Sequence, residues 1–195
     1  MPGFSPQWSH DGKWLSYTSI NPQETKIYNI ETGARQSLPT QTGSPAVWSP
    51  IGDTLLLVDI EEVRELYLPK LFSYDLAGQK LTTLGVNQTI DERLPSWSPG
   101  GKWIAMVRRE WGTDIPVRGN QIWLMRPDGG EAQALTQDHE VIHGQPVWSP
   151  DGRFLLYDVN SASISGTYYG INILDIETRD VYEIASPGNR PAWLP

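Results

Sequence analysis

An all-β chain of repeated four-stranded antiparallel sheets is predicted by three observations. The stretch PVWSPDGRFLLY (Pro146–Tyr157) has close copies at PQWSHDGKWLSY, AVWSPIGDTLLL and PSWSPGGKWIAM, and a terminal PAWLP repeats its start. The anchoring tryptophans Trp8, Trp48, Trp97, Trp148 and Trp193 are spaced by 40, 49, 51 and 45 residues. Between anchors the chain alternates short apolar runs with Gly-, Pro- and Asp-rich turns, and no 3.6-residue apolar period is sustained. Four strands at a period of about 40–50 residues mark a β-propeller blade, which buries its faces only by stacking on neighbouring blades.

Each unit reads the same way. The Trp closes a first strand. A tight turn leads into a second strand: Trp14–Tyr17, Leu55–Val58, Trp103–Val107 or Phe154–Tyr157. A variable loop follows, then a third strand ending in a polar or Gly-containing turn (KIYNIETG, LFSYDLAG, QIWLMRPDGG, INILDIETR). The fourth strand is RQSLP, KLTTL, AQALT or VYEIA. This reading makes residues 1–195 a single repeat domain with blades at roughly 5–40, 44–86, 94–136 and 145–186, and a surplus strand at 190–194. Gly12, Gly52, Gly101 and Gly152 supply the turn backbone. Asp151 completes the best-preserved turn, and the tryptophans are expected to pack between blades. Ser9, Ser49, Ser98 and Ser149 recur after each Trp, which marks them as structural.

The P-x-W-S-P-D-G motif followed by an apolar strand resembles the TolB-type propeller repeat, a WD40-like family. Pro146–Gly152 matches it fully; His10, Ile51 and Gly100 are departures in the other units. The resemblance spans essentially the whole chain. It implies the fold, and it implies several settings for it: TolB-like binding proteins, gating propellers of prolyl-oligopeptidase-like and tricorn-like proteases, and polysaccharide lyases. An exported protein would place the chain outside the cytoplasm; without export it is cytoplasmic.

Such propellers usually close with six or more blades, and four plus one strand leaves three arrangements. The chain is a portion of a longer propeller, or two open arrays associate into a larger ring, or four blades close alone. In the last case Pro191–Trp193 and Pro6–Trp8 compete for one position. Unpaired blade edges and an exposed Trp-rich face favour association.

Composition narrows the partners. The 38% hydrophobic content, with nine Trp and eight Tyr, is enough for a sizeable core. A net charge of −8 argues against non-specific binding to nucleic acid or an anionic membrane. The absence of cysteine excludes disulfide and thiolate chemistry. The opening MPGFSPQWSHDG lacks the basic and apolar regions of a signal peptide. No apolar run approaches the roughly 20 residues of a membrane span. No cofactor is implied.

The long connections are expected on one rim: Asp59–Lys70, Arg109–Asn120 and Asp158–Gly170, joined by Asn87–Arg93 and Gln137–Gln145. Loops on a rigid scaffold carry function disproportionately. His139 and His143 have H-x3-H spacing, but on a strand they lie roughly 13 Å apart, so no metal site is expected. The acidic pair Asp91 and Glu92 is expected to be solvated rather than catalytic. There is no G-x-S-x-G elbow and no catalytic set. The binding candidates are therefore Arg64, Tyr67, Asp91, Glu92, Arg93, Arg109, Trp111, Arg118, His139, His143, Tyr168 and Tyr169. Aromatic and Arg side chains dominate interface energy. The competing reading is that these aromatics fold back on the scaffold. The expected function is a non-enzymatic scaffold for a protein or peptide. The alternatives are an accessory gate of a larger hydrolase and a carbohydrate-binding propeller.

Overall fold

A computed structural model describes residues 3–85, 89–111, 119–138, 140–163 and 166–193. Among these residues the regular structure is entirely β, in four antiparallel sheets. The chain divides into two compact units, 1–88 and 89–195, each holding two sheets.

In the first unit, β1 (Gly3–Trp8), β2 (Trp14–Ile20), β3 (Gln23–Asn29) and β4 (Arg35–Pro39) form one meander. A second meander contains β5 (Val47–Trp48), β6 (Thr54–Val63), β7 (Leu66–Asp75) and β8 (Lys80–Thr83). In the second unit, β9 (Ile90–Trp97), β10 (Ile104–Glu110), β11 (Gln121–Met125) and β12 (Gln133–Ala134) form the third sheet. The fourth contains β13 (Ile142–His143), β14 (Val147–Trp148), β15 (Phe154–Ser163), β16 (Gly166–Asp175) and β17 (Val181–Ala185). Each sheet is an antiparallel array of the kind expected of a blade, and the four are called blades 1–4 in chain order.

The surplus strand lies elsewhere than expected. Pro191–Trp193 has no strand pairing. Pro187 and Pro191 remove backbone donors there, which disfavours a ladder. The extra segment arises because the inner strand of blade 4 is split into β13 and β14, both paired with β15. At the break, Gly144 donates its N–H to Asp158 O at 2.8 Å. A Cβ on Gly144 would stand 2.4 Å from the Asp158 carboxylate, so a larger residue there requires that side chain to move.

The W-S-P-D-G turn closes by its own polar groups. The Ser149 hydroxyl donates to Asp151 Oδ1 at 2.5 Å and accepts the Phe154 N–H at 2.8 Å. Asp151 Oδ1 also accepts the Arg153 N–H at 3.0 Å. Ser9, Asp11, Lys13 and Trp14 repeat the set at 2.6, 3.0 and 2.9 Å. These donors, the serine hydroxyl first, hold the Asp11 and Asp151 carboxyls below the usual range. In blade 2, where Ile51 replaces the acid, the Ser49 hydroxyl donates to the Ile51 carbonyl instead. Gly12, Gly52, Gly101 and Gly152 all take φ between 68° and 74°, the left-handed region that an L side chain resists.

The tryptophans join adjacent blades within each unit. Trp48 Nε1 donates to Gln7 O at 3.1 Å and Ser16 Oγ at 2.9 Å. Trp148 Nε1 donates to Ser96 O at 3.0 Å. Each acceptor carbonyl belongs to the residue just before the preceding blade's Trp. Trp48 packs with Ile27, Leu55, Leu57 and Tyr74. Trp148 packs with Ala105, Val107, Ile122, Leu124 and Leu155. Trp8 departs from this expectation and is 56% exposed.

Several expected loops contribute strands: Ile90–Arg93 of the expected loop Asn87–Arg93 belongs to β9, Ile142–His143 of Gln137–Gln145 is β13, and two longer stretches are hairpins. Asp59–Lys70 continues β6 and β7 into one hairpin, paired from Thr54↔Asp75 to Val63↔Leu66. Its two-residue turn, Arg64-Glu65, has φ of 50° and 68°, the positive pair that matches strand twist. Asp158–Gly170 likewise belongs to the β15–β16 hairpin, paired from Phe154↔Asp175 to Ser163↔Gly166.

Candidate functional site

In the second unit a cavity of about 220 Å³ opens where the first residues of β9 meet the last of β10. It is lined by Asp91, Arg93, Val107, Arg108, Arg109, Trp111, Gly119, Asn120 and Ile142. The antiparallel register builds it: Glu92 faces Arg108, Asp91 faces Arg109, and Ile90 faces Glu110. Thr89 ties the end of β10 by accepting the Trp111 N–H at 2.7 Å and donating its hydroxyl to Trp111 O at 2.7 Å.

Alternation along β9 separates the acidic pair. Asp91 accepts a hydrogen bond from Arg93 Nε at 2.7 Å. Glu92, 1% exposed, binds Arg108 through Nε at 2.8 Å and Nη2 at 2.7 Å. The Arg108 guanidinium also lies 4.8 Å from the Trp123 ring centroid. The expectation that both acids are solvated is therefore corrected. They are buried because each finds a guanidinium, and a buried carboxylate without one is costly. The Arg109 guanidinium lies 4.3 Å from the ring centroid of Trp111, which is 39% exposed. That arrangement offers a flat, cationic, half-exposed surface at the mouth.

His143 is also inside rather than on a polar loop. Its N–H donates to Asn120 Oδ1 at 2.6 Å, its carbonyl accepts Asn120 Nδ2 at 3.2 Å, and Nδ1 lies 2.7 Å from Asn120 O. The Nδ1 nitrogen is the donor to that carbonyl. Its ring centroid is 5.4 Å from that of Tyr157. Burial pushes the imidazole below its usual pKa, outweighing the Asn120 backbone and the Asp138 charge. Tyr157 is itself pushed up to about 12 by burial.

The remaining candidates stand apart. Ile142 is in register with Asn160, and Asn160 with Tyr169, so the half-exposed Tyr169 shares the sheet face of a cavity-lining residue. The Tyr168 hydroxyl is bonded to Glu183. Arg64 and Tyr67 belong to the first unit, at the tip of the β6–β7 hairpin, where Tyr67 is 69% exposed. Arg118 and His139 lie outside the described residues. The described residues contain no group of three or more His, Cys, Asp or Glu that could hold a metal ion. No helix among them is long and apolar enough to cross a membrane.

Residues 1–195 match the family described as the TolB beta propeller domain. The chain belongs to this family. An uncharacterized peptidase of Bacillus subtilis (strain 168), YuxL, is 29% identical over 105 residues, which is 52% of this chain and 14% of that protein. The chain thus spans about a seventh of that curated relative's length. Among solved structures, the β-propeller domain of the Pyrococcus furiosus Trilobed protease has a TM-score of 0.65 at 13% identity. The match covers 95% of this chain and 57% of that one, which is described as having an open velcro topology. The oligogalacturonate lyase of Vibrio parahaemolyticus has a TM-score of 0.63 at 15% identity, covering 94% of this chain and 53% of that one. At such identities the likeness shows the fold alone.

For this TolB-type propeller, sequence reasoning missed Asn120 and Lys70. Asn120 reads as an ordinary strand-entry residue in GNQIW, yet it clamps His143. Lys70 reads as part of a polar loop; it is fully buried in β7, opposite Asp59. The available signal was its position between Leu68 and Leu71, which are buried with it.

Proposed function

We propose that this TolB-type propeller is a non-enzymatic binding module for a protein or peptide, engaging its partner at the Asp91–Arg93–Arg109–Trp111 cavity. The carrying observation is the convergence of these four residues on one cavity of about 220 Å³. The half-exposed Trp111 ring favours an extended peptide that presents an apolar side chain. Asp91, the acid among the lining residues, is paired with Arg93, an arrangement suited to recognition rather than to proton transfer. Similarity to a peptidase favours a second reading, in which the module gates substrate entry to a hydrolase segment.

The test is selection of peptides from a random displayed library against the whole chain, followed by titration. Trp111→Ala should weaken binding at least about tenfold, as expected for an aromatic anchor. Its melting temperature should hold, because surface changes usually cost within about 0.5 kcal/mol. Undiminished binding by this variant sinks the cavity reading. Cleavage of the selected peptides by the chain itself sinks the non-enzymatic one.

A further inference from the structure

The two blades of each unit meet through the same strand positions, and the two units fill those positions differently. In the second unit Val107 and Ile122 of blade 3 share one cluster with Tyr157 and Val159 of blade 4, each at most 4% exposed. Register gives the counterparts in the first unit. Thr18 faces Thr25 as Val107 faces Ile122. Ser16, which accepts the Trp48 indole, lies two residues before Thr18 and so shares its sheet face. Leu57 faces Phe72 as Tyr157 faces Asn172, and Asp59 stands where blade 4 has Val159. Between blades 1 and 2 the chain thus puts Thr for Val, Thr for Ile, Leu for Tyr and Asp for Val.

These exchanges remove a ring and add polar groups. A cavity of about 200 Å³ opens among them, with Thr25, Leu38, Leu57, Asp59 and Phe72 in its lining. Leu38, Leu57 and Phe72 give it apolar walls. The Thr18 hydroxyl, on a side chain only 5% exposed, has no hydrogen-bond partner among the described residues. Asp59 Oδ1 accepts the N–H groups of Gln41 at 2.8 Å, Thr42 at 3.3 Å and Ile60 at 2.9 Å. Those three bonds use one carboxylate oxygen and leave Oδ2 with acceptor capacity. Lys70, fully buried, stands opposite Asp59 in the register, so a basic group already accompanies that carboxylate. What the cavity lacks is an apolar ring with a neutral donor.

The geometry points to a binding site between blades 1 and 2 for a neutral aromatic ring bearing one hydrogen-bond donor, the phenol group that blade 4 supplies from its own chain as Tyr157. The ring packs on Leu57 and Phe72, which gain from burying aromatic surface. Its hydroxyl donates to Asp59, a charge-assisted bond in apolar surroundings.

Titration of the whole chain with p-cresol, followed by amide NMR shifts, tests this. Binding should saturate at one site, with the shifts centred on residues 18, 25, 57 and 72. Toluene keeps the ring and loses the donor, and it should bind at least about fivefold more weakly, the order of one hydrogen bond. Asp59→Asn keeps the oxygen that holds Gln41 and Thr42 but puts a donor in place of Oδ2, so it should erase the preference for p-cresol over toluene. Leu57→Tyr copies blade 4 and should abolish p-cresol binding, with circular dichroism checking the fold. If overpacking stops that variant from folding, Leu57→Phe should show the same loss. N-acetyltyrosinamide carries the same ring on a peptide main chain. Tighter binding by it than by p-cresol assigns the ring to a partner's tyrosine, and the reverse order to a free phenol; both support the site. The proposal is overturned if p-cresol fails to saturate, or if p-cresol and toluene bind alike, which would make the cavity an apolar void. It is equally overturned if the preference survives Asp59→Asn, or if a folded Leu57 variant still takes up p-cresol.

Discussion

Glu92 and His143 occupy the same place in consecutive repeats, and they are buried by opposite means. Each lies five residues before its blade's tryptophan, on the inner strand, and each faces a residue of the next strand: Arg108 for Glu92, Val159 for His143. In blade 3 the charge is kept and matched by a guanidinium within 2.7 Å. In blade 4 the facing residue is apolar, so the side chain is held in its neutral form and tied to Asn120 instead. The repeat thus demands burial at this position and leaves the chemistry of satisfaction to local partners. Polar residue types that suggest function in a linear reading here serve the scaffold.

The largest expected effect comes from breaking the charged solution. Glu92→Ala leaves the Arg108 guanidinium buried, where removal of one partner of a buried pair costs about 3–5 kcal/mol. Urea denaturation should show a loss of that order in the second unit. Replacing both together, Glu92→Met with Arg108→Leu, should recover most of it, because an apolar pair leaves no stranded charge. If Glu92→Ala melts like the wild type, Arg108 has another route to satisfaction and the contrast with His143 fails.

How far this was legible in the sequence depends on the length scale of each signal. The Trp–Ser–Pro–Asp–Gly turns are local: their hydrogen bonds span two to five residues, so the motif itself predicts them. The strand order of each blade follows from the repeat for the same reason. The β6–β7 hairpin was misread because its turn is Arg64-Glu65 rather than a glycine-containing pair, and because Pro69 within β7 looks like a breaker. The site was half legible. Asp91, Arg93, Arg109 and Trp111 do line one cavity, but the roles of Glu92 and His143 depend on partners 16 and 23 residues away. No spacing rule encodes those contacts.

A smaller effect distinguishes the neutral solution. The folded-state pKa of His143 is lowered, so the unfolded chain binds its proton more readily. Its contribution is complete above the unfolded value of about 6.5 and is lost as pH falls from there through the folded value. Tm followed downward from neutral pH should fall faster for the wild type than for His143→Gln, which cannot titrate. Parallel slopes for the two proteins would mean that the imidazole is not desolvated, and blade 4 would no longer contrast with blade 3.

The smallest effect is expected one position along β9. Asp91 also pairs with an arginine, but the Arg93 side chain is 57% exposed, so its ion pair is screened by water. Exposed pairs contribute about 0–1 kcal/mol, so Arg93→Ala should barely move the denaturation midpoint. It should nevertheless weaken capture of the selected peptides, because the half-exposed Arg93 lines the cavity. Two arginines of one sheet would then separate cleanly, Arg108 acting on stability and Arg93 on binding. A stability loss for Arg93→Ala as large as that for Glu92→Ala would erase the distinction. The acids of β9 would then form one structural network, and the cavity would be a by-product of packing.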